Sequence, residues 1–451
     1  MKKLIIILIT LFVTFESISQ YDNKKIISKI DSLMSQHYSI NNPGASIIVY
    51  KNRKLFFKSS YGMANLKASE PMTTKTIFRI GSITKQFTSI GIMMLIEEGK
   101  LSLHDKVSKY YPDFSNKSPI TIKQLLSHTS GIKDLSRIRA VRPLMSVNSK
   151  PDTIIKIISE EDLNFSPGSN YEYSNSGYVV LGGILEKVSG ESYKIFLTNR
   201  IFKPLGMKST YYANKNEISS KLALGYFTRP EKYSNAPDIN SSLLFAAGGI
   251  WSNVEDMGKW NEALYGNKLV DQKYIRMAFT PNVLNSGRFT DYGFGFRSCK
   301  VNDVESIEHG GGVFGYSSYG IRMESAGVYV LILTNFERNN SYDDLAAKIA
   351  AIANNKPFDY SKYKTHINLK KGRKYVGAYK SIEGDTLHIS IKENGLVLTK
   401  DNEEKKLTQI KKHVFLIDGT LDDRITFTTR KKKGLIIKER RSMKIRAIRM
   451  D

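Results

Sequence analysis

The most informative hydrophobic pattern in the chain lies within residues 78–99, which read FRIGSITKQFTSIGIMMLIEEG. Its central run, Ile90–Ile96, is apolar at every position except Gly91. A segment that is apolar on all sides, longer than a strand and free of proline predicts a buried helix. The two glutamates after the run and then Gly99 predict its end, because glycine is the usual stop at a helix C-terminus. We expect the rest of the fold to pack around this helix.

Apolar spacing elsewhere separates helices from strands. Helical spacing predicts further helices at 24–38, 121–126, 152–159, 177–188, 244–265 and 343–353. Strand-like runs predict a hairpin at 45–61, a strand at 292–299 and an antiparallel pair at 316–323 and 328–334. Helices at both ends with strands between them predict an α/β fold. Its antiparallel sheet would be flanked by helices and carry a helical insertion from about residue 100 to about residue 290.

The pattern changes after residue 356. Residues 357–374 are polar and basic, which predicts a linker, whereas residues 375–451 are strand-like throughout. The dipeptide Asn394-Gly395 separates two alternating runs, HISIKE and LVLTK, and is a strong signal for a tight hairpin. Residues 375–451 are therefore predicted to form a small antiparallel all-β domain.

The first 19 residues, MKKLIIILITLFVTFESIS, combine two lysines, an apolar core and small residues before Gln20. This order predicts a signal peptide over residues 1–19, with cleavage after Ser19. The apolar core is too short to span a membrane comfortably. We therefore expect a protein that is exported to the periplasm or secreted, with an uncleaved N-terminal anchor as the alternative.

The formal charge of the chain is +25, and much of it lies in the last fifth, which has 24 basic and 11 acidic residues from Lys362 onward. Such an excess can indicate nucleic-acid binding, but export argues against a nucleic-acid partner. A solvated basic face is the simplest interpretation. If the C-terminal domain binds a partner, the charge predicts an anionic envelope polymer.

The chain has a single cysteine, Cys299, which excludes an internal disulfide and a cysteine-rich zinc site. It follows the alternation GFGFRSC, and we predict a buried strand residue rather than a nucleophile. The absence of a cysteine near the predicted cleavage site argues against a lipid-anchored form.

Candidate chemistry begins at the N-terminal end of the predicted central helix. Ser82 and Lys85 are three residues apart there and so share one face of the helix. Unpaired N–H groups at a helix N-terminus favour developing negative charge, and an amine one turn away can take the hydroxyl proton. This is the arrangement of an activated serine nucleophile. Ser-x-x-Lys recurs at Ser130 and Ser361, so the spacing alone is weak, but only the first copy opens a long buried helix.

Three further motifs accompany this pair. The run Tyr173-Ser174-Asn175 lies in a Pro-Gly loop just before a predicted helix. The run His309-Gly310-Gly311-Gly312 precedes a predicted strand. The stretch LLSHTSG at residues 125–131 contains His128, which we predict to fix a loop by hydrogen bonding rather than to act as a catalyst.

In this order and context the motifs resemble those of the penicillin-recognising serine hydrolases, in the class C β-lactamase and DD-peptidase branch (CubicO-like). The resemblance covers roughly residues 24–355. It implies a β-lactamase/transpeptidase-like fold for a serine hydrolase domain at 20–356, with the active site between the sheet and the helical insertion. It also implies acyl-enzyme chemistry, without a metal or another cofactor, on cell-wall D-Ala-type peptides, small esters or β-lactams.

The resemblance assigns a role to each motif residue. Ser82 would be the nucleophile, Lys85 and Tyr173 its proton-relay partners, and Asn175 a hydrogen-bonding group for the substrate amide. The backbone N–H groups of Ser82 and Gly312 would form the oxyanion hole. Burial lowers the pKa of a lysine and a nearby cation lowers that of a tyrosine, so each is expected to help the other lose a proton. Which of the two is the base stays open.

The third motif departs from the Lys-Thr-Gly of typical β-lactamases. His309 replaces a permanent cation with a group that is mostly neutral at pH 7, so we expect slow β-lactam hydrolysis. Gly310, Gly311 and Gly312 lack side chains and so allow a substrate backbone to lie against the strand. With His309 they form the predicted substrate-binding run.

The motifs allow two rival interpretations. His-Gly-Gly-Gly is also the oxyanion motif of lipase-type α/β-hydrolases, but these need a Gly-x-Ser-x-Gly elbow, which the sequence lacks. The other rival is a catalytically silent envelope-binding protein related to penicillin-binding proteins. The presence of Ser82, Lys85 and Tyr173 argues against it.

Overall fold

A computed structural model describes residues 22–218, 221–229, 232–337, 342–359, 369–381, 385–393, 395–400, 403–418, 420–421, 423–428, 434–438 and 445–450. The described residues form two compact units: those up to 298 together with 305–356, and those at 299–304 together with 357–451. The predicted signal peptide lies outside the described residues. None of the helices in these segments has the length and apolar character that crossing a membrane requires.

Several helices of the described residues begin where a side chain caps them, although the helix Thr84–Glu97 does not. Thr121 accepts a hydrogen bond from the Gln124 backbone N–H, and Ser174 accepts one from that of Gly177. In chain order the helices are α1 (22–37), α2 (Thr84–Glu97), α3 (Ile122–Leu126), α4 (Pro151–Glu160), α5 (Asn175–Ser189), α6 (Tyr193–Leu197), α7 (Lys203–Leu205), α8 (Ser241–Gly248), α9 (Val254–Ala263), α10 (Gln272–Phe279), α11 (Tyr342–Ala353) and α12 (Leu369–Gly372).

A six-stranded sheet is built from β1 (Ala45–Lys51), β2 (Lys54–Tyr61), β3 (Arg297–Val301), β4 (Val304–Val313), β5 (Tyr316–Met323) and β6 (Val328–Thr334). Their order across the sheet is β3-β4-β5-β6-β1-β2. β1 and β6 pair antiparallel, with Ala45 opposite Thr334. Helices α9 and α11 pack against these two strands, which explains why β6 is buried at every position.

Smaller sheets accompany the six-stranded one in the described residues. Their strands are Met63–Asn65 with Glu70–Pro71, Ile250–Ser252 between Phe78–Arg79 and Tyr211–Tyr212, and Tyr226–Arg229 between Phe336–Glu337 and Lys232–Asn235. The strand Phe78–Arg79 leads directly into the turn before α2 and so fixes the point at which that helix begins.

Helix α2 is the buried centre that its apolar run predicted. Every residue from Phe87 to Leu95 is buried, and the helix packs against α5 and α8. Gly91 permits the close approach of α5, since a Cβ there would lie 2.9 Å from Leu185 Cδ1. The three helices share one apolar core, which holds the N-terminal end of α2 in place.

The second unit contains a closed antiparallel barrel. Its described strands are β7 (Gly377–Ser381), β8 (Thr386–Lys392), β9 (Gly395–Lys400), β10 (Glu403–Lys411), β11 (Val414–Ile417), β12 (Arg424–Thr428), β13 (Gly434–Lys438) and β14 (Ile445–Met450). The predicted hairpin joins β8 to β9, with Lys392 opposite Gly395; residue 394 lies outside the described residues. The barrel has its own apolar core. The predicted α/β class with a small all-β domain is confirmed.

The structure corrects three predicted elements. Residues 244–265 are not one helical region, because Gly248 and Gly249 separate α8 from α9 and a short strand lies between them. Residues 292–296 do not belong to a strand, since the chain turns at Gly295, where φ is +77°; β3 starts only at residue 297. His309 and its glycines precede the strand at 316–323, as predicted, but they also lie within a strand of their own, β4, which was not predicted. Cys299 is a buried residue of β3, as predicted.

Candidate active site

Ser82 lies in a 3₁₀ turn, Gly81–Ile83, immediately before α2. This turn meets β4 backbone to backbone. Gly81 has a φ of +53°, and a Cβ there would come within 2.8 Å of Gly312 N. A Cβ on Gly311 would come within 2.1 Å of Ile80 O. The close approach therefore requires glycine at both positions, and it brings Ser82 beside the end of β4.

Lys85 is completely buried one turn further along α2. Its Nζ lies 3.1 Å from Ser82 Oγ, 2.8 Å from Asn175 Oδ1 and 2.8 Å from Ala247 O. The backbone of α8 departs from helical geometry at Phe245, and the Ala247 carbonyl that follows faces Lys85. Burial lowers the pKa of Lys85 to about 7, although the charge of Asp134 acts in the opposite direction.

These contacts orient the Lys85 amine. The two oxygens at 2.8 Å can only accept hydrogen bonds, so each takes one N–H of Nζ. In the unprotonated amine the remaining tetrahedral position holds the lone pair, and the group at that position is Ser82 Oγ. The neutral form of Lys85 is therefore arranged to accept the hydroxyl proton of Ser82.

Asn175, the first residue of α5, depends on Asp134 for its orientation. Asp134 Oδ2 accepts hydrogen bonds from the Asn175 backbone N–H at 2.6 Å and from Asn175 Nδ2 at 3.1 Å. With Nδ2 held there, the amide oxygen faces Lys85. Sequence analysis missed Asp134. Its only signal was a carboxylate shortly after the LLSHTSG stretch, between Lys133 and Leu135.

Tyr173 lies in the loop before α5, with its ring centroid 4.8 Å from Lys85 Nζ. Its hydroxyl is buried and has no hydrogen bond of regular geometry in the described part of the chain. Burial raises the pKa of Tyr173 above its ordinary value, and the nearby Ser82 hydroxyl opposes this only in part. The expectation that a neighbouring cation would lower this pKa is therefore corrected: the phenol stays protonated.

His309 is buried in β4 with both ring nitrogens engaged. Nδ1 lies 2.6 Å from Gly310 O, which can only accept, so Nδ1 carries the proton. Nε2 then accepts from the Tyr292 hydroxyl at 2.7 Å. Burial, with Lys85 nearby, lowers the pKa of His309 to about 3, so the ring is neutral. Tyr292 is a second residue that sequence analysis did not single out.

A cavity of about 370 Å³ opens beside Ser82. Its walls are mainly apolar, and Arg142 is the one charged residue in its lining. The lining residues are Ser82, Leu135, Ser136, Ile138, Val141, Arg142, Met145, Asn175, Ile239, Leu243, Leu244, Ala247, Gly248, Gly312, Val313 and Phe314. The predicted substrate-binding run thus contributes only Gly312 to this wall, and His309, Gly310 and Gly311 do not line it.

Residues from three separate segments, at 82–85, 173–175 and 312, meet beside this cavity. Ser82, Lys85 and Asn175 are joined by hydrogen bonds, Tyr173 stands beside them, and Gly312 lines the cavity together with Ser82. Such an arrangement, with a hydroxyl, a neutral amine and a protonated phenol at one point, can carry out acyl transfer.

Comparison with known proteins gives a consistent result. The model of the Beta-lactamase family matches residues 28–355. Penicillin-binding protein 4* from Bacillus subtilis is 28% identical over 401 residues, which cover 84% of this chain and 87% of that protein. Protein flp from Staphylococcus aureus is 30% identical over 346 residues, which cover 72% of this chain and 64% of that protein. The solved structure of the octameric penicillin-binding protein homologue from Pyrococcus abyssi has a TM-score of 0.66 at 25% identity, covering 94% of this chain and 99% of that one.

Proposed function

The chain belongs to the Beta-lactamase family, as its motifs predicted, and from this premise we propose that it is a serine hydrolase that forms an acyl-enzyme on Ser82. The observation that carries the proposal is the environment of the Lys85 amine. The amine is buried, its pKa is lowered to about 7, and in its neutral form its lone pair is directed at Ser82 Oγ. A structural lysine has no need of this combination, since it would keep its charge paired or exposed.

In the proposed first step, Ser82 Oγ forms a bond to the substrate carbonyl carbon and its proton passes to Lys85 Nζ. The backbone N–H groups of Ser82 and Gly312 would stabilise the resulting oxyanion, each by about 3 kcal/mol. The bond to the leaving group then breaks, and the leaving atom takes a proton from the relay. Tyr173 suits this relay, because its phenol proton can pass to the leaving atom while Lys85 Nζ returns the proton it took from Ser82 to the phenol oxygen. Water then hydrolyses the ester on Ser82, and the groups return to their starting states.

We assign the role of base to Lys85 rather than to Tyr173. A useful base has a pKa near the working pH. Burial brings the pKa of Lys85 down into that range and takes the pKa of Tyr173 away from it. The opposite effect of burial on a cation and on a phenol therefore supports Lys85 among the two candidates that sequence analysis left open.

A pH profile tests this assignment. We expect kcat/KM to rise about tenfold per pH unit below pH 7 and to level off above it, because only the unprotonated Lys85 accepts the Ser82 proton. His309, whose pKa is lowered to about 3, contributes no second limb in this range. Initial rates between pH 5 and pH 9 would be measured, with circular dichroism as a control for folding. A profile that is flat over this range, or one whose limb lies above pH 8, would contradict the assignment.

The cavity supports a substrate class. Its apolar walls and single arginine favour an uncharged apolar acyl group over one that carries an ammonium. His309 is neutral and does not line the cavity, so it offers no cation for the carboxylate of a β-lactam. We therefore propose small esters and D-amino-acid peptides without a free carboxylate as the better substrates and β-lactams as poor ones.

A substrate panel checks this class. We expect kcat/KM for p-nitrophenyl butyrate to exceed that for an ester of equal length ending in an ammonium by at least about tenfold, because burying the charge is costly. Nitrocefin turnover is expected to be slow. Rapid nitrocefin turnover, or equal rates on the two esters, would overturn the proposed substrate class while leaving the acyl-enzyme intact.

The hydrolase proposal itself is tested by covalent labelling. Purified protein without residues 1–19 would be incubated with a fluorescent penicillin and, separately, with a fluorophosphonate. We expect a single labelled serine, Ser82, identified by peptide mass spectrometry. Absence of label with both probes would favour a silent binding protein. Fractionation of the producing cells would test the proposed location in the periplasm or the medium.

A further inference from the structure

His128, in the loop of residues 128–134, holds the backbone on both sides of Tyr173. Its carbonyl oxygen accepts the Glu172 N–H at 3.0 Å, and its ring Nδ1 accepts the Ser174 N–H at 3.1 Å. The His128 ring also lies against the Tyr173 ring, with centroids 4.2 Å apart. His128 thus holds Tyr173 in place through the backbone of residues 172 and 174 and through contact with the Tyr173 ring.

The conformation of His128 is itself unusual. Its φ is +56°, in the left-handed region that non-glycine residues rarely occupy. Because Nδ1 accepts from Ser174, the proton resides on Nε2, and this buried nitrogen has no hydrogen-bond partner in the described residues. Strained backbone and an unsatisfied polar group both cost free energy, and such features persist chiefly at functional sites.

Asp134, at the other end of the same loop, orients Asn175. Asp134 Oδ2 fixes the Asn175 amide, and the Asn175 oxygen takes one N–H of Lys85. The direction of the Lys85 lone pair toward Ser82 therefore depends on a carboxylate that touches neither of them by hydrogen bond.

We propose that residues 128–134 form a positioning clamp, in which His128 holds Tyr173 and Asp134 holds Asn175, so that phenol and amine both converge on Ser82. His128 and Asp134 are positioning residues rather than catalytic ones. The clamp rests on the proposed function, since it gives the relay its geometry. Displacement of such a group by about 1 Å can cost about 10²-fold in rate.

The first test compares substitutions of His128. His128→Ala removes the ring acceptor and is expected to lower kcat about 10²-fold with KM nearly unchanged. His128→Asn is expected to restore most of that loss, because asparagine tolerates the left-handed backbone and offers an acceptor near the position of Nδ1. The matched control is Ser127→Ala. The Ser127 hydroxyl contacts Lys123 O and the Thr129 hydroxyl and makes no hydrogen bond to Tyr173 or its neighbours. Thermal unfolding of each variant separates positioning from stability.

The second test uses Asp134→Asn, which keeps the shape but removes the charge. The charge of Asp134 raises the pKa of Lys85, so the acid limb of kcat/KM is expected to move below pH 7 while the plateau falls, because the Asn175 amide is no longer fixed. A purely structural role would leave the position of the limb unchanged. The ionisable groups that face Lys85 besides Asp134 are Tyr173, Tyr178, His128 and His309.

The outcomes distinguish the clamp from the proposed function. If the wild-type protein is labelled at Ser82 and folded His128→Ala and Asp134→Asn proteins keep its rate and its pH limb, the clamp alone is overturned. If the wild-type protein takes neither probe, the hydrolase proposal fails and the clamp fails with it. If His128→Ala does not fold, the test rests on His128→Asn and Asp134→Asn. Wild-type kinetics and a wild-type pH limb in Asp134→Asn would then overturn the clamp.

Discussion

Replacing Ser82 with alanine is expected to abolish acyl-enzyme formation and to lower hydrolysis about 10⁶-fold, to background. The effect is this large because no other hydroxyl of the cavity lining has an amine beside it. Ser136, the other serine there, donates its hydroxyl proton to Asp134 instead. Lys85 keeps its two oxygen acceptors in the variant, so the fold should persist. Intact-mass measurement after incubation with a fluorophosphonate, alongside steady-state hydrolysis, would record the loss.

Ser46→Ala is the matched control for this variant. Ser46 is a buried residue of β1, its hydroxyl donates a hydrogen bond to Thr73 O, and it does not line the cavity. It should lose about 1 kcal/mol of stability and no activity. Labelling of Ser82→Ala at another residue with undiminished hydrolysis would show that Ser82 is not the nucleophile.

The second large effect is expected for Lys85→Met, which should lower kcat/KM by about 10²–10⁴-fold, the usual contribution of a general base. Methionine fills a similar volume but cannot take the Ser82 proton. The stability change should be small, because relief from burying an amine offsets the loss of its hydrogen bonds to Asn175 and Ala247. Stopped-flow labelling and thermal unfolding would measure the two quantities.

The residual activity of this variant is as informative as the loss. With the titrating amine removed, the acid limb near pH 7 should disappear from the pH profile. Lys109→Met, which removes an exposed lysine paired with Asp105, is the control and should leave the profile unchanged. If the limb survives in Lys85→Met, another group is the base.

The sequence predicted the fold well where patterns were local. The apolar run of α2, the Thr121 cap of α3 and the hairpin that joins β8 to β9 all depend on neighbouring residues, and each lies where it was expected. Prediction was wrong where distant segments decide. The strand Ile250–Ser252 exists because it pairs with Phe78–Arg79 and with Tyr211–Tyr212, contacts that apolar spacing does not reveal.

The candidate site divides in the same way. Motifs brought Ser82, Lys85, Tyr173 and Asn175 to notice, and the structure brings these four together. Asp134 could not be singled out, since its role follows from a contact 41 residues away along the chain. The states of His309 and Tyr173 were equally out of reach, because burial decides their pKa values and burial is set by the whole fold.

The close approach of β4 to the turn before α2 has an implication for how this protein could be re-engineered. At Gly311 an added methyl group would collide with the Ile80 carbonyl, whereas at Gly312 the same addition meets nothing within 4 Å. The two adjacent glycines therefore differ in what they tolerate: Gly311 has no room for a side chain, whereas Gly312 has. Because Gly312 borders the cavity, side chains introduced there would narrow the space beside Ser82 without a clash with the turn that holds Ser82. A saturation library at this single position is thus a direct route to altered selectivity.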